Sequence, residues 1–414
     1  MTPAGPADWV LREARLLDVA GPVDIAIRAE RIDSIGPALP LCGQRELQLD
    51  GRLVLPGFVD AHLHLDKAYA LEQRDLAADS LAAAIAAFQE WRDSVSLEQI
   101  YRGARRVAER ALLHGTVALR THVTVDRRSG LSLLETLRRL RDEMTPRLII
   151  QLVAFPESAE VDDGSAWPLL RQACDAGADA IGGAPATSAN PRRFVDRILE
   201  WAGALGRDLD LHVDESDDPA HNALEYLAER KLATGFAGEV VAGHCCALAA
   251  LEHAAAQRTI EKVAQAGIHV ITLPSCNLYL MGRQDRGLIR RGLTRVSELL
   301  AAGVNVIFAS DNIRDPFNPF GDADMLQETL IAAHALQMGS VPALRRLIYM
   351  ATYGAARVLK LRDYGLQPGC RASLVVLDAS DLGDAIARLA PRRYVFAGGL
   401  LVAETVMHAT LSAG

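Results

Sequence analysis

His62 and His64 stand one residue apart in the apolar run Gly57-Phe58-Val59-Asp60-Ala61-His62-Leu63-His64-Leu65-Asp66-Lys67. Alternate side chains of a strand share a face, so both imidazoles point the same way. Neutral imidazole is a common ligand for zinc and iron, and a His-x-His pair at a strand end can pinch a divalent ion. The pair alone is a weak signal, since two of eleven histidines can fall this way in an edge strand. Its weight comes from other strand-end residues: Gln151, His212 with Glu215, His244, and Asp311 with Asn312. Three histidines (His62, His64, His212) and one carboxylate (Asp311) form a hard-to-borderline set that suits Zn²⁺ or Fe²⁺ and leaves a position for water. Such an ion lowers the pKa of its water toward roughly 7 and makes hydroxide available at neutral pH. Glu215 lies three residues past His212, where it can reach the pocket without ligating and shuttle a proton to a substrate ring nitrogen. His244 can orient the water or stabilise developing charge. Each residue also has a bland explanation, a satisfied core histidine or a capped loop at Asp311-Asn312; it is their convergence that argues for a site.

Convergence requires a fold that gathers strand ends. Apolar strand-like runs alternate with helical patterns from about residue 55 to residue 340, the signature of βα units and a parallel sheet. Candidate strands end near His62, His122, Phe155, Gly182, His212, His244, Pro274 and Asp311, which makes eight. That is the number in a closed TIM-like (β/α)8 barrel, whose functional groups come from the C-terminal ends of the strands. Ser132 to Met144 and Ala249 to Ala266 are predicted helices, and Gly115, Gly177, Gly267 and Gly303 fall where helices should stop. The rival, an open doubly wound sheet, lacks its Gly-rich phosphate loop after the first strand, where His62-Leu63-His64 sits instead. Val10 to Ile35, Ala372 to Asp378 and Tyr394 to Gly399 read as further strands. They predict a small, discontinuous β-sandwich domain built from residues 1–55 and 365–414, beside a barrel at residues 56–364.

With 414 residues, half of them hydrophobic and only 5% aromatic, the chain suits many helices on a buried sheet. A formal charge of −8 argues against a nucleic-acid partner. Six scattered cysteines, two of them adjacent (Cys245, Cys246), read as reduced thiols. No apolar run approaches the roughly 20 residues of a membrane span, and Met1 to Val10 lack an export signal. The expectation is a cytoplasmic protein with no membrane partner, able to form a homo-oligomer.

The motifs Pro56-Gly57-Phe58-Val59-Asp60-Ala61-His62-Leu63-His64-Leu65-Asp66-Lys67, Arg120-Thr121-His122-Val123, Gln151-Leu152-Val153-Ala154-Phe155-Pro156, His212-Val213-Asp214-Glu215, Gly243-His244 and Ser310-Asp311-Asn312-Ile313-Arg314-Asp315-Pro316-Phe317 resemble the amidohydrolase superfamily, and within it the cytosine deaminase group. The resemblance covers nearly the whole chain. It implies one metal on His62, His64, His212 and Asp311, Glu215 as proton shuttle, His244 as electrostatic and acid/base partner, and Gln151 bonded to a ring amide of a small heterocycle. Two-metal members of the superfamily bridge their ions with a carboxylated lysine on a middle strand, and no lysine occurs here between Lys67 and Lys231. The cytosine deaminase pattern carries a second Asp at Asn312 and a Trp at Phe317. An amide donates as well as accepts, so the substrate edge facing Asn312 should differ. A triazine hydrolase acting on N-isopropylammelide also has Asn after the metal Asp. The implied reaction is hydrolytic deamination of an amino-substituted nitrogen heterocycle with release of ammonia. The alternatives are loss of an alkylamine from an s-triazine, ring amide hydrolysis, or a non-catalytic scaffold, which would show eroded ligands. His122 matches the family without a derivable role. Cys245, Cys246 and Cys276 read as small buried hydrophobes rather than nucleophiles.

Overall fold

The computed structural model describes residues 6–73 and 78–412. The chain opens with β1 (Ala7–Ala14), β2 (Val23–Arg28), β3 (Arg31–Gly36) and β4 (Gly43–Gln48), which form one sheet in the order β3-β2-β1-β4. A short β5 (Leu53–Pro56) leads into eight parallel strands: β6 (Phe58–Leu63), β7 (Thr116–Thr124), β8 (Ile149–Phe155), β9 (Ala180–Ile181), β10 (Asp208–Val213), β11 (Val240–His244), β12 (His269–Thr272) and β13 (Val306–Phe308). They lie in sequence order, β6 through β13. The circle closes at a parallel bridge between Leu63 and Asp311, where the Asp311 N–H donates to the His62 carbonyl at 2.9 Å. All nine residues of β7 are buried, as expected of a strand covered on both faces.

The connecting helices carry their own stop and start signals. The helix Leu97–Leu113 begins with a capping box, Ser96 Oγ accepting the Gln99 N–H and Gln99 Oε1 accepting the Ser96 N–H. It buries Ile100, Ala104, Val107, Ala108 and Ala111, a helical stripe, against the barrel. Gly115 follows at φ 86°, a left-handed turn that starts β7. The helix expected at Ser132 to Met144 has those bounds. That expected from Ala249 to Ala266 is divided: a 3₁₀ turn over Cys246–Ala250, extended Leu251, then the helix His253–Gln265.

The chain ends with β14 (Leu374–Leu377), β15 (Arg392–Ala397) and β16 (Leu400–Glu404), which join β5 in a second sheet, order β16-β15-β14-β5. The terminal segments therefore do not merge into one sheet. The two sheets face one another over a common core that includes Leu11, Ile25, Ile27, Val54, Leu374 and Phe396, with Trp9 edge-on to Phe396 at 5.3 Å. No helix among the described residues is long and apolar enough to cross a membrane.

Candidate active site

The C-terminal ends of β6, β10 and β13 bring together the four expected ligands. His64 Nε2 stands 3.1 Å from His212 Nε2. Asp311 Oδ1 is 3.4 Å from His64 Nε2 and 3.7 Å from His62 Nε2. Two nitrogens on a tetrahedral ion at about 2.0–2.1 Å stand about 3.3 Å apart, so the spacing fits. Burial, with neighbouring cationic groups adding, drives His62, His64 and His212 well below the usual histidine pKa, which keeps them in the neutral, ligating form. Burial lifts the Asp311 carboxyl to about 7, and Asp315 adds to this. His62 Nε2 and both Asp311 carboxyl oxygens are buried without a hydrogen-bond partner. Leaving such groups unpaired costs several kcal/mol, and a divalent cation would satisfy them together.

Backbone strain collects at the same strand ends. Asp311 (φ 59°), His244 (φ 66°) and Asp214 (φ 50°) are all left-handed, at a cost of about 1–3 kcal/mol each. Asp214 is held there by accepting the N–H groups of Ala223 and Leu224 at 2.8 and 2.9 Å.

Glu215 and His244 lie beside the ligands. Burial and then Asp311 raise the Glu215 carboxyl well above its ordinary value, which favours its protonated, donating form. Its Oε1 is 3.5 Å from His244 Nδ1, which also accepts from the Asn277 amide at 3.2 Å. His244 is pushed down to about 3 by burial and His122, and its Nε2 is buried and unpartnered. Asn312 donates from Nδ2 to Asp315 at 2.7 Å, while its Oδ1 meets the Cys276 thiol at 3.6 Å. Each end of the amide is thus engaged once, which leaves one N–H and one acceptor lone pair for a ligand. Burial raises the thiols of Cys245, Cys246 and Cys276 well above 9, which agrees with an inert role.

The ligands open onto a cavity of about 160 Å³. Phe155 and Phe317 stand on its walls, and Leu81, Ile85 and Phe88 of the helix Leu81–Ser94 cover one side. Gln151 is not in this cavity. It sits near the start of β8, opposite Arg120, accepting from Arg120 Nε and Nη2 at 2.9 and 2.7 Å and donating to the Leu359 carbonyl at 2.9 Å. The expectation that it bonds substrate is therefore corrected: four residues of strand separate it from Phe155, about 13 Å at the usual rise. The end of β8 supplies Phe155, Pro156 and Glu157 instead.

Two further residues gain a place. Lys67 Nζ is 2.9 Å from both His64 Nδ1 and Asp66 Oδ1 and lies over the Phe88 ring at 4.6 Å. His122 Nε2 is 3.2 Å from His62 Nδ1 and 3.5 Å from Asp210 Oδ1. His62, His122 and Asp210 could hold an ion by distance alone. Arg120 already neutralises Asp210 at 2.9 Å, so this group supports His62 from its Nδ1 side.

The model of the Amidohydrolase family matches residues 45–150 and 128–408. The chain is 33% identical to a pterin deaminase of Rhizobium rhizogenes over 354 residues, which cover 84% of this chain and 80% of that protein. It is 30% identical to N-isopropylammelide isopropyl amidohydrolase of Pseudomonas sp. strain ADP over 405 residues, 96% of this chain and 97% of the relative. The crystal structure of 5-methylcytosine deaminase from Klebsiella pneumoniae, liganded with 5-fluorocytosine, superposes with a TM-score of 0.91 at 30% identity, covering 97% of this chain and 99% of that one. On the family match and these near full-length likenesses, the chain belongs to the amidohydrolase family.

Proposed function

We propose that this protein is a metal-dependent hydrolase that removes an exocyclic amino group from a small nitrogen heterocycle. The observation that carries the reading is a buried Glu215, its carboxyl pushed well above its ordinary pKa by burial and Asp311, beside a cluster of buried imidazoles and an unpartnered carboxylate at one aromatic-walled cavity. His62, His64, His212 and Asp311 would hold one divalent ion, Zn²⁺ or Fe²⁺ by donor type. Such an ion supplies a water of lowered pKa and polarises the carbon under attack. The residues do the remaining proton work. Asp311 takes the proton of the attacking water, and Glu215 gives its proton to the ring nitrogen adjoining that carbon. His244 faces the developing charge with its free nitrogen. Asp311 then hands its proton to the exocyclic nitrogen, the C–N bond breaks, and the hydroxyl proton returns to Glu215, so that ring amine plus water gives ring carbonyl plus ammonia.

A cavity of about 160 Å³ lies below the roughly 300–1,000 Å³ of drug-sized pockets, and suits one ring or a small fused pair. The relatives that cover most of the chain act on such rings, a pterin and a triazine. Release of an alkylamine is a second reading on the same residues, favoured by the apolar cover of Leu81, Ile85 and Phe88, which has room for an alkyl group. The test is a product assay on metal-loaded protein against aminopyrimidines, pteridines and N-alkylamino triazines, with metal content measured on the same sample. Ammonia is expected from the first two classes and alkylamine from the third. Release of neither amine, or appearance of a carboxylate product by ring opening, would defeat the proposal.

A further inference from the structure

A second polar layer lies inside the barrel, below the proposed ligands. Alternate residues of a strand share a face, so Arg120 sits one step under His122 on β7, and Asp210 one step under His212 on β10. Arg120, His122 and Asp210 are all buried. The guanidinium is held from three sides. Its Nη1 donates to Asp210 Oδ2 at 2.9 Å, its Nε and Nη2 donate to Gln151 Oε1 at 2.9 and 2.7 Å, and its Nη2 also donates to the Val358 carbonyl at 3.1 Å. Gln151 is fixed in turn, its amide nitrogen donating to the Leu359 carbonyl at 2.9 Å. Val358 and Leu359 end the helix Tyr353–Val358, where carbonyls lack helical partners and suit a cation or an amide N–H.

This bracing makes the two oxygens of Asp210 unlike. Oδ2 is taken by the guanidinium, whereas Oδ1 is buried with no hydrogen-bond partner and stands 3.5 Å from His122 Nε2 and 4.0 Å from His62 Nδ1. Those two nitrogens are themselves 3.2 Å apart. A carboxylate oxygen only accepts, so it favours the tautomers that place hydrogen on the nitrogens facing it. For His62 that hydrogen is on Nδ1, which leaves the Nε2 lone pair for an ion. Arg120 decides which oxygen faces the imidazoles, and it balances a carboxylate charge that would otherwise be buried alone.

We infer that Arg120 is a positioning residue for the metal site: braced by Gln151 and the Val358 carbonyl, it sets the Asp210 carboxylate that orients His62 and holds it in its ligating tautomer. The inference rests on the reading of His62 as a ligand. It gives Gln151, which does not line the cavity, a task at a distance from the ion.

The test reads the ion itself. Metal-free wild type, Arg120→Met, Arg120→Lys and Gln151→Met are titrated with Co²⁺ against a chromogenic chelator. The visible ligand-field bands are recorded, and unfolding midpoints are measured with and without Co²⁺. Arg120→Met is expected to bind Co²⁺ roughly 10–100-fold more weakly, with shifted bands. Arg120→Lys keeps a cation beside Asp210 and should bind more tightly than Arg120→Met, with bands nearer those of wild type. Gln151→Met leaves the buried ion pair in place and should show a smaller loss in the same direction; it decides the matter if Arg120→Met does not fold. Wild-type affinity and bands in Gln151→Met or Arg120→Met, even with a lowered unfolding midpoint, overturn the inference, as does an Arg120→Lys no better than Arg120→Met. A wild type that takes up no Co²⁺ overturns it together with the proposed metal site. Amine release from heterocycles is assayed separately, and the expected Co²⁺ pattern without any amine counts against the deaminase reading alone.

Discussion

Gly243 offers the sharpest test of how tightly the ligand cluster is built. It sits on β11 directly before His244, and a Cβ placed on it would lie 3.0 Å from His62 Cε1 and 3.3 Å from His62 Nδ1. Its φ is not left-handed, so alanine adds no backbone strain and the perturbation is purely steric. His62 is fully buried and its ring is in contact distance of His122, His212 and His64, at centroid separations of 4.2, 4.6 and 5.6 Å. It has nowhere to retreat, and a shift of a few tenths of an ångström must pass to its Nε2, the atom 3.7 Å from Asp311. Overpacking of this size costs about 1–3 kcal/mol of stability. Disturbing a group that orients a ligand costs roughly 10–100-fold in metal affinity, which is about 1.4–2.7 kcal/mol. Gly243→Ala is therefore expected to fold with a modestly lowered denaturation midpoint and to bind Zn²⁺ 10–100-fold more weakly in competition with a chromogenic chelator. Gly339→Ala, whose Cβ meets open space, serves as the control and should leave both unchanged. If Gly243→Ala matched wild type in metal affinity, the argument that packing behind His62 sets its position would fail.

Glu215→Gln should retain metal, because Glu215 lies outside the proposed ligand set, while kcat falls by roughly 10²–10⁴; a variant with wild-type turnover would remove Glu215 from the mechanism. Burial, then Asp60 and Asp311, raises Glu328 well above its ordinary 4.5, so the folded protein holds a proton that the unfolded chain releases. The resulting stability is full below the unfolded value and lost as pH rises toward the folded one, by about 1.4 kcal/mol per pH unit for one proton. Glu328→Gln should flatten that slope in urea midpoints measured from pH 5 upward, and an unchanged slope would contradict it. Arg392→Met takes the guanidinium from the buried Asp324, which keeps its helix N-terminal N–H partners, Leu326 and Gln327, and His114 Nδ1 at 3.5 Å. The expected loss is near the lower end of roughly 3–5 kcal/mol in denaturant unfolding. Chelation of the metal should release hydrogen-exchange protection at residues 58–66 and 306–313 before the rest of the barrel, since the ligands join those segments; uniform loss would argue otherwise.

The barrel was readable because its strands are apolar runs, five of which stop near a histidine or an aspartate (His62, His122, His212, His244 and Asp311), and most of the candidate site comes from those ends. His62, His64, His212, Glu215, His244 and Asp311 needed only the strand count to converge. Gln151 failed for a geometric reason. It belongs to the same strand as Phe155 but to the opposite end of it, and motif membership does not report height along a barrel. His122 was legible as a strand end but not in its role, because the 3.2 Å approach of its Nε2 to His62 Nδ1 is set by packing between neighbouring strands. The cover formed by Leu81, Ile85, Phe88 and Gln89 lies 66 to 74 residues before Phe155 and is placed beside it only by tertiary packing. The terminal β segments were legible as strands, but their partners were not, because β1 to β4 satisfy one another locally and leave β5 to join β14.

The most economical feature of the fold is that barrel closure and the ligand cluster use the same residues. Between β6 and β13 the ladder is reduced to the Leu63–Asp311 bridge, a hydrogen bond from the Asp311 N–H to the His62 carbonyl. Beneath it Asp60 accepts from the Ser310 N–H at 3.2 Å and from the Ser310 hydroxyl. A parallel pair this short contributes little on its own, and Asp311 occupies a left-handed conformation that costs about 1–3 kcal/mol. An ion held by the proposed ligands His62, His64 and Asp311 would cross this seam, so its binding free energy would also be closure free energy. The same linkage would account for strain at the proposed carboxylate ligand. A left-handed Asp311 turns the chain out of β13 while its N–H still reaches β6, so the side chain is delivered to the imidazoles by the bend that closes the barrel. At metal concentrations 100-fold above the dissociation constant the gain would be about 2.7 kcal/mol, enough to offset the strain of one such residue.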